Sequence, residues 1–307
     1  MTGWLGQGMQ AIGFQVTFFR SRTLHPEDNP SRFAPRQLMF AHAALALPQE
    51  GKLRHAEIAG RAGPAGASFQ IADTDLSLAG WRLHRTKDDH YKLVIPTEDF
   101  NLSLEAIPPK EPVLRGDGGY SLKGPSPELA SYYYSRPQLK VLAQLELKSP
   151  KGGSAVNTSG FAWFDHEWSS SLLMTGAVGW DWIGINLLDG SSLMAFRIRD
   201  AAGKTLFAEW DWRDALGRVL EKHQAVSWEP VGQWRSPRSL VTYPAGFKLR
   251  VAKREWTLQP LMADQEVDAR ASTGGFYYEG AVELKENGKT LGRGYLELTG
   301  YGDPLVL

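Results

Sequence analysis

The chain has 307 residues, enough for one large or two ordinary domains. Its 34 Lys and Arg balance 34 Asp and Glu, which argues against a dominant electrostatic partner such as nucleic acid or an anionic membrane. Cysteine is absent, which excludes disulfides, thiol catalysis and thiolate metal sites.

No stretch of about 18 apolar residues occurs, so no helical membrane span is expected. The opening MTGWLGQGMQ lacks the basic start and apolar core of a secretory leader. Residues 12–20 (IGFQVTFFR) alternate, with Phe14, Val16 and Phe18 on one face, and predict a strand. Residues 25–35 predict a polar loop. Residues 37–47 (QLMFAHAALAL) suit helix by alanine content, but their strand-like neighbours favour a strand. Residues 60–67 (GRAGPAGA) predict a turn. Strand-like segments follow at 69–71, 76–83, 91–95 and 100–107, with a turn at Asp88 and Asp89. A Pro- and Gly-rich loop over 108–119 precedes strands over 129–135 and 138–147. Residues 149–159 predict a loop.

The second half has the same texture. Strands are expected over 192–199, 205–212, 224–229, 247–252, 256–261, 277–284 and 294–298. Hairpin turns are expected at 200–203 (DAAG) and 286–288 (ENG). Residues 214–221 are the best helix candidate. So many short strands predict an all-β protein, and two barrels joined near residues 170–180 fit the strand number better than one. The expected domains are 1–172 and 173–307.

Residues 159–184, SGFAWFDHEWSSSLLMTGAVGWDWIG, gather four tryptophans and two phenylalanines around Asp165, His166, Glu167 and Asp181. Strand alternation puts Phe164, His166 and Trp168 on one face, with Trp163, Asp165 and Glu167 on the other. Further on, Trp180 and Trp182 share a face, and Asp181 points away from them. The intervening SSSLLMTGAV has the length of a long hairpin connection or an interdomain loop. The plainer reading makes Trp163 and Trp168 core, the acids solvated and His166 a satisfied polar group. The remaining histidines show no metal spacing, so neither a metal nor another cofactor is expected.

YYYSRPQL, WFDHEW, GWDWIGINLLDG, LMAFRIRD, YYEGAVEL and GYLELTGY, in order along nearly the whole chain, resemble the carotenoid hydratase/AttH-like family. That family includes kievitone hydratase, and its members are commonly described as predicted secreted or lipocalin-like hydrolases. The resemblance implies two consecutive lipocalin-like, calycin-type β-barrel domains, and it leans towards export or a periplasmic location. One departure is the start: the family usually opens with an EWWYxTG-like strand, whereas Met1-Thr2-Gly3-Trp4 stands here, as though that part and any leader lay upstream.

Adding water to an isolated C=C bond needs an acid to protonate carbon and a wall that stabilises the cation. A carboxylic acid kept neutral by burial supplies the first, and aromatic faces supply the second at about 0.5–2 kcal/mol per ring. Asp165 or Asp181 is the expected acid and His166 the water-orienting group. The resemblance points to the H-x-W unit, His166 and Trp168. Trp168, Trp180 and Trp182 are the expected wall, with Tyr133, Arg136 and Tyr278 as further substrate-binding candidates. For Tyr133, Arg136 and Tyr278, a place in the core or an interface is the plainer reading. The expected partner is a hydrophobic small molecule, either the substrate of a hydratase- or hydrolase-like enzyme or the ligand of a non-catalytic lipocalin-like binder. An accessory role beside a transport system is a third class.

Overall fold

A computed structural model describes residues 1–26, 28–31, 34–63, 66–109, 111–149, 152–170 and 173–302. Thirteen strands form the first sheet: β1 (Thr2–Leu5), β2 (Ile12–Arg22), β3 (Gln37–Leu47), β4 (Lys52–Arg61), β5 (Ser68–Phe69), β6 (Asp75–Leu78), β7 (Trp81–Arg85), β8 (Tyr91–Pro96), β9 (Phe100–Ile107), β10 (Val113–Leu114), β11 (Tyr120–Leu122), β12 (Ala130–Leu147) and β13 (Ser154–Trp168). Their order is β4-β3-β2-β1-β13-β12-β9-β8-β7-β6-β5, with β10 and β11 also paired to β12. The sheet curls until β4 lies beside β6.

The second half contributes β14 (Gly179–Leu187), β15 (Ser192–Arg199), β16 (Thr205–Arg213), β17 (Val219–His223), β18 (Ser227–Pro230), β19 (Gln233–Arg235), β20 (Thr242–Pro244), β21 (Phe247–Val251), β22 (Arg254–Pro260), β23 (Glu266–Ala269), β24 (Gly275–Glu286) and β25 (Lys289–Leu298). All but β19 and β20 join one sheet, in the order β17-β16-β15-β14-β25-β24-β22-β21-β18 with β23 on β24. The protein is therefore nearly all-β, two consecutive curled, lipocalin-like barrels. The two sheets draw on separate stretches of chain, ending at Trp168 and starting at Gly179. A boundary placed at residue 172 falls outside the described residues, as do parts of the loops expected over 25–35 and 60–67.

Several expectations are corrected. Residues 214–221 form no helix: the Asp214 carboxylate accepts from the Leu216 and Arg218 amides, both at 2.9 Å, and holds a turn that leads into β17. Asp prefers such local bonds to a helix interior. Residues 76–83 are a hairpin, because Ala79 and Gly80 take φ of 48° and 90° and split β6 from β7. The strands expected over 129–135 and 138–147 are one 18-residue strand, β12, irregular between Arg136 and Leu139, where Pro137 offers no amide hydrogen. The loop expected over 149–159 ends early, since β13 begins at Ser154 and pairs with β12 although its first residues are exposed. In β3 the core face is Met39, Ala41, Ala43, Leu45 and Leu47, and His42 lies on the opposite face.

Each barrel is filled by its own inward residues, with Phe14, Leu45, Tyr91, Leu104 and Phe164 in the first and Ile183, Trp210, Phe247, Tyr278 and Leu296 in the second. Burying a large apolar side chain contributes about 1.5–3 kcal/mol, so each barrel has its own source of stability. The barrels meet on their outer faces, through three mixed clusters. Trp4 and Ala11 pack on Ala281 and Tyr295; Tyr133 and Trp163 on Met194, Phe196 and Ile198; Ala44, Ala46 and Leu53 on Val267, Ala269 and Tyr277. Gly13 permits this close approach: a Cβ there would lie 2.6 Å from the Ala281 methyl and 2.8 Å from the Tyr295 hydroxyl.

Candidate functional site

Strand parity distributes the sequence-predicted residues over three separate places. His166 and Trp168 continue the Phe164 face of β13, at the end of the first barrel. His166 Nδ1 lies 3.1 Å from the Tyr134 hydroxyl, and its ring centroid is 5.1 Å from that of Trp168. Trp168 stacks on Tyr132 at 5.5 Å and remains 52% exposed, so this is a wet rim. The covered part of His166, with the charge of Arg20 nearby, holds its pKa below the usual histidine value. Arg136 is buried on the same side, donates to Asp89 at 2.7 Å and lies over the Tyr91 ring.

Asp181 and Tyr278 lie inside the second barrel. Asp181 is fully buried and accepts from Arg197 Nε at 2.6 Å and Arg199 Nε at 3.1 Å. A carboxylate so held is an acceptor for two guanidinium groups, turned away from Trp180 and Trp182 by the strand alternation. Tyr278 is core, its hydroxyl accepting from Gln265 Nε2 at 3.2 Å.

The third place is the seam between the barrels, where Asp165, Tyr133, Trp180 and Trp182 come together. Asp165 accepts from Ser135 Oγ and, at 2.8 Å, from Trp163 Nε1. Burial raises its pKa, and the Ser135 bond, Arg115 and Trp163 offset part of that. Trp182 meets Trp163 edge to face at 6.0 Å, and its indole donates to the Tyr133 hydroxyl at 3.3 Å. Gly184 makes room for this pair, since a Cβ there would lie 2.5 Å from the Trp182 ring and 2.9 Å from Trp163.

Two residues that sequence reasoning did not place in the site complete it. Glu297 on β25 lies between Trp182 on β14 and Glu279 on β24, its register partner on either side. Side chains directly opposite in neighbouring strands have Cβ atoms about 4.5–5.5 Å apart, so the two carboxyls are neighbours. Burial pushes Glu297 up to about 7, and Trp180 is its hydrogen-bond partner. Burial and the adjacent Glu297 charge push Glu279 well above the usual carboxylate range, and Asp165 across the seam adds to it. Burial likewise pushes up Tyr133, Tyr277 and Tyr295. Asp165, Trp180, Trp182 and Glu297 nonetheless retain some accessible surface. Lys123, paired with Glu167 at 2.9 Å, lies over the Tyr133 and Phe196 rings at one end. Among the described residues, no group of acids and histidines is disposed to hold a metal ion.

The missed glutamates had a signal. In YYEGAVEL and GYLELTGY an acid sits two positions from a tyrosine on the same strand face, within runs otherwise apolar. A hollow of about 420 Å³ elsewhere, over Asn101, Gln144 and Asn157, is lined mostly by polar residues on a barrel wall and contains no such cluster.

The model of the AttH-like family matches residues 1–301. The chain belongs to the AttH-like family. A crystal structure described as an AttH, from Nitrosomonas europaea, is 42% identical and has a TM-score of 0.87 over 98% of this chain and 91% of that one. Kievitone hydratase from Nectria haematococca is 16% identical, with a TM-score of 0.72 over 97% and 87% of the two chains, and shares the fold of this AttH-like protein. Curated protein sequences give no significant match. None of these comparisons singles out the carotenoid hydratases. Among the described residues of the AttH-like chain, no helix is long and apolar enough to cross a membrane.

Proposed function

We propose that the protein is a hydratase-like enzyme that adds water to an apolar, isoprenoid-like alkene in the crevice between its barrels. The observation that supports this most is the Glu279–Glu297 pair, side by side beneath the Trp180 and Trp182 rings and facing Asp165. Two neighbouring buried carboxyls cannot both ionise cheaply, so one keeps its proton near neutral pH. That proton passes to an alkene carbon and leaves a carbocation. Trp163, Trp180 and Trp182 stabilise the cation through their ring faces. Water then forms the C–O bond, and its excess proton returns to the Glu279–Glu297 pair, directly or by way of Asp165, which restores the acid and balances the step. Kievitone hydratase is named for such a reaction and has this fold, which is compatible with the reading. Within it Tyr133 orients Trp182, while His166 and Trp168, on the other face of β13, stay outside the crevice. Asp181, bound by two arginines, is left as a structural anion.

The test is to incubate the protein with linear isoprenoid alkenes in heavy-oxygen water and follow labelled alcohol by mass spectrometry. Labelled alcohol is expected from the native protein. Glu297→Gln is expected to lower the rate by about a hundredfold or more, since a positioned acid contributes about 10²–10⁴. No turnover by the native protein, together with binding of the same alkenes by both proteins, favours the non-catalytic binder, which has no use for a protonated carboxyl.

A further inference from the structure

A hydrogen-bonded chain leads from the surface towards the carboxyl pair and is not used in the reaction above. His42 on β3 is 1% exposed, on the outer face of the first barrel. Its Nδ1 lies 2.8 Å from the Tyr277 hydroxyl of the second barrel, and its Nε2 lies 2.8 Å from Ser272 Oγ. Ser272 also bonds the Glu57 carboxylate, whose other oxygen accepts from the Ala271 amide.

One set of proton positions satisfies all four groups. The single Ser272 hydrogen goes to the Glu57 carboxylate, so Ser272 accepts from His42 Nε2–H. Nδ1 then accepts from the Tyr277 hydroxyl. The resulting direction, Tyr277 to His42 to Ser272 to Glu57, rules out reading Ser272 as a nucleophile, because His42 Nε2 has no lone pair to offer it. Burial, and then the charge of His55, holds His42 down at about 4, so the ring is neutral as this pattern requires. Other groups facing His42 are Phe19, 5.1 Å away, and its register partner Thr17, which accepts from Gln15 Nε2.

Tyr277 stands two residues before Glu279 on the same face of β24. Its hydroxyl also meets Gln15, whose Oε1 is buried without a partner. We infer that Glu57, Ser272, His42 and Tyr277 form the route by which the Glu279–Glu297 pair exchanges protons with solvent. A proton accepted at the Tyr277 end shifts each hydrogen one place along the chain and one is released at Glu57; the inverted set of bonds this leaves carries the next proton inward from Glu57 and restores the first. No bond to carbon changes and no co-reactant is needed. This rests on the reading of Glu279 and Glu297 as a pair that retains a proton.

The test needs no substrate. A neutral buried carboxyl has an infrared carbonyl band above the amide region, which shifts when its proton is replaced by deuterium. The folded native protein is moved rapidly from ordinary to heavy water and the shift is timed. The band is assigned by its loss in Glu297→Gln or Glu279→Gln. In Tyr277→Phe and in Ser272→Ala the shift is expected to be about a hundredfold slower, the lower end of what a positioned proton-transfer group contributes. If these four residues merely bind the barrels together, the same variants loosen the seam and the band shifts faster or at the native rate, which overturns the route. Absence of any such band in the native protein overturns the acid-pair reading instead.

Discussion

Glu297 and His42 carry opposite pH signatures, and their signs can be separated. Glu297 is raised from 4.5 to about 7 in the fold, so between these values the folded protein holds more protons than the unfolded chain, and stability falls as pH rises. Glu279 and Asp165, also shifted upward, act in the same sense. His42 is lowered from 6.5 to about 4, so in that window the unfolded chain holds more protons and stability rises with pH. The two trends oppose each other from about 4.5 to 6.5, and only the acids act above that. Glu297→Gln is therefore expected to make the dependence of stability on pH less negative between about 4.5 and 7, read as urea midpoints across that range. An unchanged profile in the variant would show that Glu297 titrates normally. Strand alternation alone placed His166 and Trp168 opposite Trp163 and Asp165, and Asp181 opposite Trp180 and Trp182. It could not show that Asp181 meets two arginines, because Arg197 and Arg199 come from the neighbouring strand.

At the scale of the element, most strands were legible because each has one face on its own barrel core, giving period-two apolarity. The failures have one physical source each. The start of β13, SAVNTS, is largely exposed on both faces, so pairing with β12 imposes no alternating apolar pattern on it. The β6–β7 hairpin turns on Ala79 in a left-handed conformation, which its residue type does not advertise. β14, β24 and β25 were recognised as strands, yet both of their faces are buried, one in the barrel and one in the seam. Their second face reads as ordinary burial until the partner wall is known, which is why Glu297 escaped notice and Glu279, beside Tyr278, reads from the sequence as barrel packing. Gly184 on β14 tests whether the tryptophan pair shapes the crevice. Gly184→Ala forces Trp182 or Trp163 to move and is expected to cost about 1–3 kcal/mol, with a changed near-ultraviolet circular dichroism from the coupled indoles. A variant with native stability and native aromatic signal would mean that this contact imposes nothing.

At the scale of the molecule, a polar clamp complements the apolar seam. Arg115, between β10 and β11, is completely buried and donates from Nη1 to both Asp211 oxygens, at 2.7 and 2.9 Å, while its Nε donates to Ser135. Burial alone would raise Asp211, but Arg115 and Arg213 hold it below the usual range. Asp211→Ala strands a buried guanidinium and is expected to cost about 3–5 kcal/mol, seen as a lower unfolding midpoint. Replacing both partners with apolar residues of similar volume is expected to recover much of that loss. If the double variant is no more stable than the single one, the loss comes from elsewhere than the stranded charge.

Because each barrel is plugged by its own side chains, the circumference of a strand ring sets no limit on what the protein can hold. The two barrels instead meet along the seam, clamped where Arg115 of the first grips Asp211 of the second. Residues lining either bore are then free to change for packing alone, while each side chain of the seam must answer to both barrels at once.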